Sequence, residues 1–202
     1  MSSTPQMPPL GRVPPAAGPQ PGGRVTDAPG FGPDQPDEAY AIRIDREGVW
    51  HYHGSPIGRI ALARLFSTVL RRDEQGDYWL ITPAERGRIT VEDAPFVAIS
   101  VDFQGAGRDQ NLVFRTNLDH LVTAGPDHPI RVQMNAATGE PRPYVLVRGS
   151  GEKGRLEARI ARPVFYELVE RADIVERAGQ EVLGVWSGGE FFPLGALDQV
   201  AS

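Results

Sequence analysis

Hydrophobic and polar residues alternate along much of this chain, and the alternation predicts strands. The first clear case is residues 42–53, where two alternating runs lie on either side of Arg46-Glu47-Gly48. Short alternating runs separated by a glycine-containing turn are typical of a β-hairpin. We expect a register that keeps the apolar residues on one face, because a one-residue slip would turn all of them outward. The expected cross-strand pairs are Ile42 with Tyr52, Arg43 with His51, and Ile44 with Trp50.

Two segments have the spacing of a helix instead. Ser55-Pro56 is typical of a helix N-terminus, and apolar residues then recur at helical spacing as far as Leu70. A second helix is predicted from Pro163, with Gly179 just beyond its end. The sequence therefore predicts two helices in a chain of strands.

The remaining segments alternate with the period of strands and are separated by turns rich in glycine, proline and asparagine. The predicted strands are 78–82, 97–103, 112–116, 130–134, 144–148, 156–160, 181–186 and 190–194, with 83–88 as a loop and 89–91 extended. Trp79 follows Pro56, and Trp186 follows Pro163, by the same 23 residues. This echo favours an α+β fold class with two β-rich domains from a duplication, each with one main helix.

Composition divides the chain into a tail and two domains. The first 36 residues hold ten of the 19 prolines and six of the 23 glycines, which leaves little apolar surface to bury. We therefore expect residues 1–38 to be a disordered tail, residues 39–93 an N-terminal domain and residues 94–198 a C-terminal domain. No signal-like or membrane-spanning apolar run is visible, so the expected location is cytoplasmic, without membrane contact.

Charge and composition argue against several function classes. The net charge of −5, with no long run of one sign, argues against a nucleic acid polymer as a partner. The absence of cysteine excludes disulfide and thiolate chemistry, and no motif identifies a cofactor. Of the 21 basic residues all but Lys153 are arginine, and guanidinium groups suit carboxylate and phosphate ligands.

Two groups of polar residues are candidates for chemistry. Alternate strand residues share a face, so His51 and His53 are a candidate metal pair, which His120, His128, Glu92 or Asp93 would complete. The other interpretation is a polar hairpin face beside Arg43. Glu92 and Asp93 are also a candidate general acid and base, or a turn whose carboxylates pair with arginine.

Two further candidates concern anions. Residues 149–154 match G-x-G-x-x-G, but a strand rather than a helix is predicted at 156–160, which favours a hairpin loop over a phosphate cradle. The arginine candidates are Arg59, near the first predicted helix start, and Arg64, Arg148, Arg159 and Arg162. Two of them would form an anion site if they converged with Thr116-Asn117. The alternative is ordinary solvated arginines that pair with acidic residues.

The chain also resembles a proteobacterial family that is classed only as a domain of unknown function. The resemblance extends over residues 40–195 and rests on the segments G-V-W-H-Y-H-G-S-P-I-G-R, Y-W-L-I-T-P-A-E, V-E-D-A-P-F, F-R-T-N, P-R-P-Y-V-L-V-R and V-W-S-G-G-E-F-F. It implies a duplicated α+β fold whose second half is similar to a pleckstrin-homology-type barrel. It also implies a signalling role and a nucleotide-like ligand between the domains. The site residues it implies are His53, Arg59, Glu92, Asp93, Thr116, Asn117 and Arg148.

Three functions are compatible with these observations. The leading hypothesis is a non-catalytic regulatory or signalling protein that binds a small anionic, nucleotide-like ligand at the inter-domain cleft. The second is a metal-dependent hydrolase that uses His51, His53 and Glu92 or Asp93. The third is an adaptor that binds a protein partner through the Pro-rich tail in an extended conformation.

Overall fold

The helices and strands fall into two groups along the chain, and each group has one α-helix and several strands. The computed structural model describes residues 38–149 and 154–196. We call residues 38–94 the N-terminal half, and the described residues from 95 onward the C-terminal half. Apart from Glu38, the predicted tail at residues 1–38 lies outside the described residues, as does most of the G-x-G-x-x-G segment.

The N-terminal half is one six-stranded sheet with a helix packed against it. Its strand order is β3-β2-β1-β6-β5-β4, in which β1 and β6 run parallel. On the helix, Phe66 stacks against Trp50 with ring centroids 6.2 Å apart. The elements are β1 (Glu38–Ile44), β2 (Trp50–Tyr52), β3 (Ser55–Pro56), α1 (Ile60–Val69), β4 (Leu70–Arg72), β5 (Tyr78–Ile81) and β6 (Arg86–Val91).

The C-terminal half has a second six-stranded sheet and a separate three-stranded sheet. The order is β10-β11-β12-β7-β8-β9 in the first, where β12 and β7 run parallel, and β13-β14-β15 in the second. Its elements are β7 (Phe96–Gln104), β8 (Asn111–Thr116), β9 (Leu121–Thr123), β10 (Ile130–Met134), β11 (Pro141–Arg148), β12 (Leu156–Ile160), α2 (Arg162–Glu170), β13 (Asp173–Arg177), β14 (Gln180–Ser187) and β15 (Glu190–Ala196).

A buried serine joins the two sheets of the C-terminal half. The Ser187 hydroxyl donates to the carbonyl oxygen of Ala124 at 2.7 Å and accepts the Leu112 amide N–H at 2.9 Å. Beside it, the Gln110 side chain donates to the Trp186 carbonyl at 2.9 Å. Buried polar groups are tolerated when they are hydrogen-bonded in this way, so the junction fixes β14 against β8.

The buried apolar residues of the two halves form one continuous core. Ile44 and Trp50 of the N-terminal half belong to the same cluster as Phe96, Phe114 and Leu168 of the C-terminal half. Because burial of apolar surface is the main favourable term in folding, neither half packs independently of the other. Neither α1, with ten residues, nor α2, with nine, has the length and apolarity to span a membrane.

The predicted hairpin register is confirmed, but the predicted start of the first helix is wrong. All three expected pairs between β1 and β2 are present. Ser55-Pro56 does not begin a helix, because His53 and Gly54 both have positive φ and turn the chain back onto β2. Proline is acceptable there since β3 is an edge strand. Helix α1 begins only at Ile60.

The second helix begins as predicted but ends earlier. Pro163 lies in the first turn of α2, which stops at Glu170. The β-branched residues Ile174 and Val175 then favour a strand, β13, and Gly179 lies in the turn that follows it. The strands β4 and β9 were not predicted, and β6 begins within the predicted loop at 83–88.

The turn between β1 and β2 is hydrogen-bonded to the C-terminal half. The Asn117 side-chain amide donates to the Gly48 carbonyl oxygen at 2.9 Å and accepts the Val97 amide N–H at 3.0 Å. Gly48 has a φ of +77°, and a Cβ atom there would lie 2.7 Å from Asn117 Nδ2. Only glycine allows this approach without displacing its neighbours.

A second set of contacts between the halves is made by α1, whose residues Arg64 and Ser67 touch side chains of the C-terminal half. The Arg148 guanidinium donates to the Ser67 carbonyl oxygen and lies over the ring of Phe96. His120 Nε2 is 3.4 Å from the Ser67 hydroxyl, and Arg64 pairs with Asp119. Burial lowers the pKa of His120 below its usual 6.5, and the charges of Arg148 and Arg64 lower it further.

Replacement of Asn117 should destabilise the whole fold. We expect Asn117→Ala to lower the free energy of unfolding by about 1–3 kcal/mol, because two buried backbone groups lose their partner. Urea unfolding followed by tryptophan fluorescence measures the change. The matched control is Asn135→Ala, whose side chain accepts a hydrogen bond from Ala137 within its own turn. Equal stability of the two variants would contradict the assignment.

Stability should fall as the pH drops through the unfolded-state pKa of His120. The folded protein disfavours the protonated ring, so the unfolded state binds more protons just below 6.5. His120→Gln removes this titration, and its unfolding free energy should depend less on pH between about 7.5 and 5.5. His53→Gln, which removes an exposed ring on the β2–β3 turn, is the control. The same pH dependence of the unfolding free energy for the wild type and His120→Gln would contradict the prediction.

Candidate functional site

A cavity of about 690 Å³ lies between the two halves. The N-terminal half contributes the β1–β2 turn and the residues that follow β6, and the C-terminal half contributes α2, β12, β15 and the β10–β11 hairpin. This volume suits a small-molecule ligand. The lining residues are Arg46, Glu47, Glu92, Asp93, Met134, Thr138, Gly139, Glu140, Pro141, Arg142, Pro143, Arg159, Ile160, Arg162, Phe165, Tyr166, Val169, Leu194 and Gly195.

One wall of the cavity is apolar and aromatic. Helix α2 provides Phe165, Tyr166 and Val169, and Met134 extends the surface from β10. Tyr166 is 51% exposed, and its hydroxyl accepts a hydrogen bond from Arg162 Nε at 2.8 Å. This pairing holds a flat ring and a guanidinium group side by side, four residues apart on the helix.

The charges around the cavity are of both signs. Arg46, Arg142 and Arg162 are exposed arginines, and the exposed acidic residues are Glu47, Glu92 and Glu140. Arg46 comes from the N-terminal half, while Arg142 and Arg162 come from the C-terminal half. Exposed guanidinium groups can form two-pronged hydrogen bonds with carboxylate or phosphate oxygens. The arrangement therefore offers anion-binding groups from both halves.

Asp93 is held in place from the C-terminal half. The Tyr144 hydroxyl donates to Asp93 Oδ1 at 2.7 Å, and Arg159 Nε lies 3.3 Å from Asp93 Oδ2. Arg159 also donates to the backbone carbonyl of Arg46 at 2.7 Å. Burial raises the pKa of Tyr144 to about 12, assisted by its hydrogen bond to Asp93, so the hydroxyl stays protonated and continues to donate.

A partly buried ion pair packs against the ring of Tyr144. Arg131 donates to both carboxylate oxygens of Glu157, at 2.7 and 2.6 Å, and its guanidinium lies 4.2 Å from the Tyr144 ring centroid. The hydrogen bond to Glu157 is the main cause that raises the pKa of Arg131. The inner wall is thus a fixed polar network and not a set of freely moving charges.

Glu92 and Asp93 line the cavity but do not form an acid–base pair. Glu92 pairs with Arg43 on the N-terminal sheet, whereas Asp93 contacts Tyr144 and Arg159. The two carboxylates lie on the bend that follows β6 and are engaged by separate partners. The geometry matches the interpretation in which these carboxylates pair with arginine.

The other five predicted site residues are not among those that line the cavity. Thr116 is buried, and its hydroxyl accepts the His120 amide N–H at 3.0 Å. Asn117 and Arg148 form the contacts between the halves described above. His53 and Arg59 are exposed on the N-terminal half. The structure therefore brings together Glu92 and Asp93, and leaves the other five apart from them.

The histidine pair does not share one face in the folded protein. His51 Nε2 is 2.7 Å from Asp45 Oδ2, whereas His53 lies beyond the end of β2 in a left-handed conformation. Across residues 38–149 and 154–196, no group of three or more His, Cys, Asp or Glu side chains is arranged to hold a metal ion. The geometry of the described residues thus offers no ready-made metal centre.

Sequence reasoning missed most of the residues that line the cavity. Arg46 was assigned only to a turn, and Arg142, between two prolines, was not considered. Arg159 and Arg162 were predicted as members of the arginine cluster, and both line the cavity, but the other predicted members of that anion site do not. The turn and hairpin positions depend on contacts between the halves, which no local pattern reveals.

Comparisons with known proteins identify the family. Residues 32–94 match the family model described as Domain of unknown function (DUF1285), N-terminal domain. Residues 95–194 match the model described as Protein of unknown function (DUF1285), C-terminal domain. A search of curated proteins finds no significant match.

Two solved structures are similar to this chain. A DUF1285 family protein from Silicibacter pomeroyi is 42% identical, with a TM-score of 0.75, over 84% of this chain and 87% of its own. A DUF1285 family protein from Shewanella baltica is 25% identical, with a TM-score of 0.48, over 66% of this chain and 94% of its own. The sequence matches and the first of these structures show that the chain belongs to the DUF1285 family.

Proposed function

We propose that this protein is a non-catalytic regulatory protein that binds a small anionic, nucleotide-like ligand in the cavity between its halves. The observation that carries the proposal is that Arg46 of the N-terminal half and Arg142 of the C-terminal half line the same cavity as the aromatic side chains of α2. An anionic group would contact guanidinium groups from both halves at once, and a flat apolar group would pack on Tyr166.

The state of the carboxylates supports binding over catalysis. A general acid or base must be free to exchange a proton with the substrate. Glu92 and Asp93 are engaged in ion pairs or hydrogen bonds with Arg43, Arg159 and Tyr144. In this proposal Asp93 keeps the cavity wall rigid, and the arginines provide the attraction.

A signalling role follows from the position of the cavity. A ligand that bridges Arg46 and Arg162 would favour one arrangement of the two halves, which is the kind of differential contact that shifts a conformational equilibrium. As part of the same proposal, the halves are related by duplication, and the C-terminal half is a pleckstrin-homology-type barrel. In support, the order of elements along the chain is similar in the two halves: in each, antiparallel strand pairs come before the helix and after it.

Nucleotides should stabilise the protein through the arginines of the cavity. In a thermal-shift screen with ATP, GTP, cyclic AMP and cyclic di-GMP, at least one should raise the unfolding temperature, because a ligand of the native state stabilises it. Calorimetry should show at least about tenfold weaker binding to the double variant Arg46→Gln/Arg142→Gln. The control is Arg115→Gln, an exposed arginine on β8 outside the cavity. No increase in unfolding temperature with any of these nucleotides, or equal binding by all variants, would refute the proposal.

The aromatic ring of Tyr166, and not its hydroxyl, should contribute to the affinity for the ligand. Tyr166→Ala should weaken binding of the best nucleotide by about 1–3 kcal/mol, the usual contribution of base stacking, whereas Tyr166→Phe should bind nearly as well as the wild type. Isothermal titration measures both affinities. Comparison of titrations with and without EDTA shows whether binding requires a metal. A metal-dependent affinity, or equal losses in the two variants, would favour a different site.

A further inference from the structure

The strand edges of the sheets differ in how well they could accept another strand. In the part of the chain that the structure describes, the outer strands are β3, β4, β9, β10, β13 and β15. Strands β10 and β15 lie beside each other, so their edges face within the molecule. Strand β3 has two residues and contains a proline, and β4 and β9 have three each. Short strands and proline are common protections against edge pairing.

Strand β13 lacks these protections. It has five residues, Asp173–Arg177, and four of them are exposed. Ile174 is 54% exposed, which is unusual for an isoleucine on a strand beside the core. An edge strand of this length and exposure presents backbone N–H and C=O groups to a partner strand.

The sequence of β13 complements itself in antiparallel pairing. If two copies of Asp173–Arg177 pair about Val175, then Asp173 of each copy lies opposite Arg177 of the other, and Ile174 lies opposite Glu176. The register therefore creates two opposite-charge cross-strand pairs, and such pairs stabilise antiparallel strands. A parallel pairing in register would instead place like charges side by side.

The β4 edge offers a contrast, because Arg71 and Arg72 would repel the same residues of a second copy.

We propose that a second copy of this chain docks on β13, so that the two three-stranded sheets join into one six-stranded sheet across a two-fold axis. A two-fold axis uses the same patch on both partners, which is why self-complementarity of one strand is sufficient. The inference does not depend on the ligand proposed for the cavity.

Charge reversal tests the proposed register. The full-length wild-type protein should be a dimer in sedimentation velocity experiments at about 100 µM, with dissociation on dilution. Asp173→Arg places arginine opposite arginine, and Arg177→Asp places aspartate opposite aspartate, so each variant should weaken the dimer at least about tenfold. A mixture of the two single variants should form a heterodimer of near wild-type affinity, because each arginine again faces an aspartate. The double variant Asp173→Arg/Arg177→Asp should also dimerise.

Every outcome of this experiment decides for or against the proposal. Circular dichroism and thermal unfolding establish that each variant is folded, and Glu170→Arg, an exposed charge reversal at the end of α2, is the control for nonspecific charge effects. A monomeric wild type at the highest concentration, or a dimer that tolerates both single reversals, would overturn it. Single variants that weaken the dimer but do not recover on mixing would exclude the antiparallel register about Val175.

Discussion

The close contact between Gly48 and Asn117 is the constraint on which the rest of the structure depends. It fastens the β1–β2 turn to the C-terminal half by a hydrogen bond of 2.9 Å, and the absence of a side chain at Gly48 permits the approach. The same turn carries Arg46, whose backbone carbonyl is held by Arg159. One short turn therefore connects the contact with the C-terminal half to the edge of the cavity, where Arg46 and Glu47 lie.

The cavity combines a fixed inner wall with an adaptable edge. Tyr144, Asp93 and Arg159 are linked by short polar contacts and leave little freedom for rearrangement. Arg46 and Arg142 lie at the exposed edge, where long side chains can follow a ligand. This division suits recognition, because preorganised walls lower the entropy cost of binding while mobile arginines supply charge. In the proposed function, the ligand acts by bridging two halves that already share one core.

Local patterns predicted the elements better than they predicted the site. The β1–β2 register followed from Ile42 and Ile44, because only one alignment buries both. The first helix start failed because positive φ at His53 and Gly54 allowed Ser55-Pro56 to pair with β2, and this tertiary preference outweighed a favourable capping sequence. Glu92 and Asp93 were found because they adjoin each other in sequence, and Arg159 and Arg162 were found as part of the arginine cluster. Arg46 and Arg142 were missed because they lie on segments brought together only by folding.

In the proposed function, the cavity between the halves is the ligand site. Hydrogen exchange followed by mass spectrometry, with and without the nucleotide that raises the unfolding temperature most, tests this proposal. We expect slower exchange at three separate segments that line the cavity, which are residues 45–48, 138–143 and 162–167. Slower exchange confined to residues 51–59, around the two histidines and Arg59, with no change at the cavity, would contradict it.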